Sequence, residues 1–348
     1  MAYFLCLILL QIVVLLSESK ANKIPAVIVF GDSSVDSGNN NFIPTLARSN
    51  FEPYGRDFPG RQPTGRFSNG RLPSDIISEG VGLKPIVPAY LDPNNKISDI
   101  VYGVCFASAG SGYDNATANV LGVIPLWKQV EYFKEYRNKL KAFVGDDKAN
   151  EIISEALYLV SMGTNDFLEN YYLLPEQKSK YSVGQFGDFI IGLAENFIKD
   201  LNVLGARKIS LTGVPPMGCL PLERANNDKE ENACVEEYNN VAQNFNQKLK
   251  LLVAKLNGEV AGLEVVYSDA YDIFLDMITK PSKYGFKEAM VGCCGTGKFE
   301  MSFLCNSLNP YTCDDADKFV FWDAFHPSQK ASQIISYHLL NTTLAKFL

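Results

Sequence analysis

Four short runs of apolar and β-branched residues, Ala26 to Phe30, Ala156 to Ser161, Lys208 to Thr212 and Leu263 to Ser268, punctuate this chain, with a weaker one at Tyr102 to Phe106. Ala26 to Phe30, ending at Gly31, reads as a buried strand before a sharp turn, and the others are similar runs too short for helices. Between them lie amphipathic stretches long enough for helices, Leu126 to Phe143, Val183 to Leu204 and Glu231 to Leu256. Strand and helix alternating in this way imply right-handed crossovers and a parallel sheet. The expected fold is α/β, a three-layer α/β/α sandwich. A length of 348 residues would suggest two or three domains, yet α/β folds of this size form around one sheet, and no linker, repeat or low-complexity tract divides the chain.

Open parallel sheets bind ligands beyond the carboxyl ends of their strands. The residues to watch are therefore Ser33 after the first run, Gly110 after the weak one, Asn165 and Asp166 after Ala156 to Ser161, and Pro215 to Gly218 after Lys208 to Thr212. Residues Asn39 to Arg71, rich in Asn, Pro, Gly, Arg and Phe without a clean period, read as a long ordered loop. Tyr284 to Asp317 is a second irregular region, one that needs the crosslinks its four cysteines can supply.

The apolar run Tyr3 to Leu16, followed by Ser17, Glu18, Ser19, Lys20 and Ala21, reads as a signal peptide over residues 1–21, leaving one domain over 22–348. An N-terminal anchor is the competing reading, but the run falls short of the roughly 20 residues that span a bilayer. Export also agrees with the cysteines. Cys6 leaves with the signal, and Cys219, Cys234, Cys293, Cys294, Cys305 and Cys313 cluster in the C-terminal half, with Cys219 expected to pair with Cys234 and the other four among themselves. Zinc is the weaker alternative, because neither histidine has metal-ligand spacing to these cysteines. Cys105, in an apolar stretch, reads as a buried free thiol. Asn115-Ala116-Thr117 and Asn341-Thr342-Thr343 match the glycosylation acceptor pattern. A net charge of −7 argues against nucleic acid as a partner and leaves small neutral substrates.

Only two histidines occur, and one, His326, closes Trp322-Asp323-Ala324-Phe325-His326-Pro327. Asp323 and His326, three residues apart, can face one side, the carboxylate holding the imidazole tautomer that accepts a serine proton. Alternatively Asp323 caps the helix after Pro327. Ser33, in Gly31-Asp32-Ser33, follows a strand where a tight turn exposes a hydroxyl, or it merely forms the turn. Asn165 can donate its amide to a developing oxyanion or form an Asx turn, and Gly110 can offer a backbone N–H or simply bend the chain. Together these elements supply a nucleophile, a base, its orienting carboxylate and oxyanion donors, the set that acyl transfer needs.

At this point the chain resembles a known family, the plant GDSL-type esterase/lipases of the SGNH hydrolase superfamily, over roughly Ile24 to Leu340. The resemblance is carried by Phe30-Gly31-Asp32-Ser33-Ser34-Val35-Asp36-Ser37-Gly38-Asn39-Asn40, Pro63-Thr64-Gly65-Arg66-Phe67-Ser68-Asn69-Gly70-Arg71, Phe106-Ala107-Ser108-Ala109-Gly110, Gly163-Thr164-Asn165-Asp166 and Asp323-Ala324-Phe325-His326-Pro327. It implies a flavodoxin-like sandwich, Ser33 as nucleophile, His326 as base supported by Asp323, and an oxyanion hole of Ser33, Gly110 and Asn165, with no metal or organic cofactor. The Gly-x-Ser-x-Gly elbow of α/β-hydrolases is absent from the family and from this chain. Two departures stand out: Ser34 replaces the leucine of the family name, and Cys105 stands where an asparagine commonly precedes Phe-Ala-Ser.

The expected activity is hydrolysis of a small-molecule, lipid or cell-wall ester by a secreted enzyme. Acyl transfer to a sugar or hydroxy-lipid uses the same residues, and a non-catalytic extracellular lipid- or glycan-binding module is the reading Cys105 encourages. Phe42, Phe51, Tyr54 and Phe58 are candidates for an acyl groove, or for ordinary packing.

Overall fold

Every residue of strand β1 (Val27–Gly31) is buried, as a run without polar alternation requires when both faces of a sheet are covered. It pairs in parallel with β2 (Gly103–Cys105) on one side and β3 (Leu157–Ser161) on the other, with Phe30 beside Val160 and Gly31 beside Ser161. Strands β4 (Lys208–Thr212) and β5 (Glu264–Ser268) extend the parallel sheet, giving the order β2-β1-β3-β4-β5. The computed structural model describes residues 24–227, 230 and 233–348, so the signal peptide expected over 1–21 lies outside the described residues.

Helix α1 (Pro73–Gly80) connects β1 to β2, α2 (Leu126–Val144) precedes β3, α3 (Val183–Val203) precedes β4 and α4 (Glu236–Glu259) precedes β5; α5 (Tyr271–Thr279) and α6 (Gln329–Asn341) follow the sheet. The chain moves one way from β1 to β2 and the other way from β2 onward. Right-handed crossovers therefore put α1 on one face and α2, α3 and α4 on the opposite one. The packing agrees: α6 lies against α1 and α5, and α3 against α4. This is the expected three-layer sandwich, and the reversal of strand order at β1 and β3 opens a crevice beyond their carboxyl ends.

The long helices start and stop close to where their periodicity places them. Helix α3 begins with a capping box in which Ser182 accepts from the Gln185 amide and Gln185 accepts from the Ser182 amide. The short helices α1 and α5 carry too few turns for a period to show. The irregular region also hides a second parallel sheet, β6 (Glu288–Gly292) with β7 (Phe319–Phe321), whose first strand is only partly buried and so lacks an apolar run. Disulfides Cys293–Cys313 and Cys294–Cys305 staple this region, and Cys219–Cys234 forms as expected. Among the described residues no helix is long and apolar enough to cross a membrane.

The loop over 39–71 is fastened to the sandwich by a buried ion pair. Arg66 meets Asp75 of α1 through Nε–Oδ2 at 2.8 Å and Nη2–Oδ1 at 2.9 Å, and also donates to the Val87 carbonyl at 2.9 Å. Asp75 in turn accepts the Leu72 and Val87 amides at 3.0 and 2.8 Å. Removing one partner leaves the other buried and unpaired, so Arg66→Met should destabilise the protein by about 3–5 kcal/mol in chemical denaturation.

Candidate functional site

Gly31 ends β1 with φ +153°, and a Cβ there would fall 2.2 Å from the Ser161 carbonyl oxygen, so only glycine lets the chain turn this close to β3. The turn delivers Ser33, almost wholly buried, into the crevice. There its Oγ lies 2.8 Å from Nε2 of His326. The other ring nitrogen, Nδ1, lies 2.8 Å from Oδ2 and 2.9 Å from Oδ1 of Asp323, which is completely buried. An ionised carboxylate only accepts, so the ring proton sits on Nδ1 and Nε2 is left to accept from the Ser33 hydroxyl.

The histidine turn is held from several sides. Asp323 Oδ1 accepts the amides of Phe325 at 2.9 Å and His326 at 2.7 Å, and the Trp322 amide donates to the His326 carbonyl at 2.8 Å. Helix α6 is capped by Ser328, which accepts from the Ala331 amide. Capping is thus not the task of Asp323, and the alternative reading of that residue fails because a nearer hydroxyl takes the position. Phe67 packs on the imidazole with ring centres 4.9 Å apart.

Sequence reasoning missed Tyr54 as a member of this site. Its hydroxyl donates to Asp323 Oδ2 at 2.7 Å and accepts from the Ser302 amide at 2.8 Å. Burial first, then the neighbouring carboxylate, pushes its phenol well above the ordinary range, so it stays a donor. The tyrosine lies 269 residues from Asp323, and no local pattern links the two. Tyr54 and Phe58 are core residues and Phe42 is exposed, and neither these nor Phe51 lines a cavity beside Ser33. Packing is the reading that holds for Phe51, Tyr54 and Phe58.

Gly110 and Asn165 converge with Ser33 around one cavity. Gly110 sits at φ +82°, and Asn165 Nδ2 gives one of its two hydrogens to the Ser111 carbonyl at 2.9 Å. Among the described residues, neither the Ser33 amide nor the Gly110 amide donates to another group. Asp166 takes a different place. It accepts from the amides of Tyr113 at 2.8 Å and Asp114 at 3.0 Å and from Thr117 Oγ1 at 2.6 Å, pinning the segment after Gly110 to the π-helical turn Asp166–Tyr172. Of the stretch after β4, Pro215 reaches a cavity beside Ser33, whereas Met217 and Gly218 are buried in a turn.

The Gly110 loop is held by residues of the loop after β1. Asn39 Nδ2 donates to the carbonyls of Cys105 and Ala107 at 2.9 and 2.8 Å, Asn40 Nδ2 to that of Ala109 at 3.0 Å, and the Ala109 amide donates to Asp36 Oδ2 at 3.0 Å. Cys105 ends β2 as a buried thiol that donates to the Val35 carbonyl, and burial pushes it up to about 12, so it is inert. Its place in the loop needs no side-chain amide, because Asn39 already supplies one. On α2, Gln129 exchanges hydrogen bonds with the amide and carbonyl of Gly31 and donates to Ser111 Oγ. A polar residue in the buried stripe Leu126, Val130, Phe133 was the one signal that could have exposed it.

Among the described residues no group of side chains is arranged to hold a metal ion. Residues 27–339 match the family model described as GDSL-like Lipase/Acylhydrolase. The chain is 60% identical to GDSL esterase/lipase At2g42990 of Arabidopsis thaliana over 96% of this chain and 94% of that one. It is 58% identical to GDSL esterase/lipase At2g04570 of the same plant, covering 94% of each, and 55% identical to GDSL esterase/lipase At4g26790, covering 97% and 96%. The chain belongs to the GDSL lipase/acylhydrolase family. It is a carboxylic ester hydrolase of the GDSL esterase/lipase kind found in plants.

Burial pushes the Asp36 carboxyl up to about 6, against the amides of Gly38, Ala109 and Asn39, which favour its ionised form. The folded protein therefore holds this proton more tightly than the unfolded chain, whose aspartate titrates at about 3.9. The stabilisation is complete below that value and is lost as pH rises toward 6. The melting-temperature gap between the natural protein and Asp36→Asn should accordingly widen as pH is lowered from about 6 to about 4.

Proposed function

We propose that Ser33, His326 and Asp323 act as a catalytic triad in a secreted enzyme that hydrolyses carboxylic esters through an acyl-enzyme. The observation that carries this reading is the unbroken hydrogen-bonded line from Ser33 Oγ through both ring nitrogens of His326 to Asp323, at 2.8 Å on either side of the ring. Ser33 Oγ bonds to the ester carbonyl carbon while its proton passes to His326 Nε2. The carbonyl becomes an oxyanion facing the amides of Ser33 and Gly110 and the amide group of Asn165. The carbon–oxygen bond to the alcohol then breaks, and the alcohol leaves with the proton from Nε2. A water molecule repeats the sequence on the acyl-enzyme, giving its proton to Nε2 and releasing the acid and Ser33. Asp323 orients the ring and stabilises its charged form.

Export is part of the proposal. Residues 1–21 serve as the signal peptide and 22–348 as one hydrolase domain, and three disulfides support maturation in an oxidising compartment. Asn115 and Asn341 are exposed and are the proposed glycan acceptors.

Replacement of Ser33 by alanine should lower turnover of a short-chain aryl ester on the order of 10⁵-fold, with the circular dichroism spectrum unchanged. Turnover at the original rate would reject Ser33 as the nucleophile. Tyr54 is a positioning residue in this scheme. Losing a hydrogen bond to a charged group, Tyr54→Phe should lower kcat roughly 10- to 100-fold with little change in KM. An equal rise in KM at constant kcat would show that Tyr54 shapes substrate binding instead.

A further inference from the structure

Ser33 and His326 stand at the junction of two cavities. One, of about 230 Å³, lies on the side of Gly110 and Asn165 and is walled by residues that include the exposed Leu121, Phe303 and Leu304. The other, of about 120 Å³, runs beneath the opposite side of Ser33 between the sheet and helices α1, α5 and α6. Neither Gly110 nor Asn165 reaches it. Its walls are Ile77, Leu159, Val214, Phe274, Ile335 and Leu339, all of the main core, and no residue that lines it is exposed, so it is the more enclosed of the two. Most of its wall is apolar, and the hydroxyls of Ser34, Ser161 and Ser210 are committed to partners, which leaves Ser74 Oγ as a buried hydroxyl without one. Ser34 Oγ donates to Asp32 at 2.7 Å and meets Ser161 Oγ at 2.8 Å, while Ser210 Oγ meets Ser268 Oγ at 2.7 Å. Such a wall asks for an apolar guest.

The geometry of the tetrahedral carbon sorts its substituents between these spaces. Its oxyanion must face the Ser33, Gly110 and Asn165 donors, which border the larger cavity. The alcohol has to depart before water enters, and the larger cavity is the one whose walls reach solvent. The acyl tail stays attached through both half-reactions and is left with the enclosed side. A cavity of 120 Å³, set beside the roughly 150 Å³ that accommodates benzene, takes an acyl group of about four or five carbons, its carbonyl carbon included. Residue 34 lines this cavity. The leucine implied by the family name would project three more side-chain carbons there than Cβ alone, whereas Ser34 folds its hydroxyl back onto Asp32 and Ser161.

Resting on the proposed function of Ser33, we infer that the enclosed cavity under α1, α5 and α6 is the acyl site, that it restricts this esterase to short acyl chains, and that Ser34 sets its width. The larger cavity receives an apolar or aromatic alcohol.

A series of 4-nitrophenyl esters from acetate to hexadecanoate, hydrolysed by the purified mature protein, tests this directly. kcat/KM should peak near butanoate or pentanoate and fall about tenfold or more by octanoate; a profile still rising at dodecanoate overturns the inference. Ser34→Leu should lower the butanoate-to-acetate ratio about tenfold or more, whereas Ser34→Ala, which loses the same hydrogen bonds without adding bulk, should keep it within about twofold. Phe274→Ala should move the fall-off to longer chains. If these variants instead alter the preference between methyl and naphthyl esters of one acid, the two cavities are assigned the wrong way round and the inference fails. Melting curves identify any variant that does not fold, and the series on the natural protein then decides alone. Retained turnover in Ser33→Ala would mark a different failure, that of the nucleophile itself.

Discussion

The contact between Ser33 and His326 joins residues 293 positions apart, and it depends on two turns being rigid at once. The first is set by Gly31, where β1 runs so close to β3 that no side chain is tolerated. The second, around Asp323 to Ser328, is closed by backbone bonds from Trp322 to His326 and from Ser328 to Val320, and by the capping of α6. Because β1 lies beside β3 at the point where strand order reverses, its end opens into the crevice rather than into a helix layer. The imidazole is thereby confined between a hydroxyl and a carboxylate with both ring nitrogens engaged. Rotation of the ring would break both bonds in a nearly water-free setting.

Around this contact the interior is unexpectedly polar for a core built on an apolar sheet. Asp36, Asp166, Asn39, Asn40 and Gln129 are all buried. Burying such groups is costly unless they are hydrogen-bonded, and each one here spends its capacity largely on backbone amides and carbonyls of the loops that follow β1 and β2. The loops that carry Gly110 and Asn165 are consequently placed by side chains of neighbouring loops. This also explains why Cys105 is tolerated at the end of β2: its own carbonyl and that of Ala107 are bound by Asn39, and the thiol needs only the Val35 carbonyl.

Much of the architecture is legible in the amino-acid sequence. Strands β1, β3, β4 and β5 follow apolar runs whose lengths forbid helices, and α2, α3 and α4 carry enough turns to display a period. Where the signal failed, the reason was physical. Strand β6 is half exposed, α1 and α5 are short, and the pairing of Cys293 with Cys313 and of Cys294 with Cys305 depends on how a segment without periodicity wraps against β7. Ser33, Gly110, Asn165, Asp323 and His326 were singled out because the ends of parallel strands are where ligands gather and because histidine is so scarce here. Tyr54 was not, since an aromatic residue in a long loop looks the same whether it packs or donates.

The amino-acid order alone therefore settled which layers form and which side chains stand at the carboxyl edge of the sheet, because burial and periodicity are local properties of a chain. Only the tertiary structure decided that Tyr54 completes the surroundings of Asp323, that Ser328 and not Asp323 caps α6, and that Ser33 lies between an enclosed and an open cavity. Those outcomes depend on distances between segments far apart in the chain, and such distances are set by how whole layers pack, which no short stretch of residues encodes.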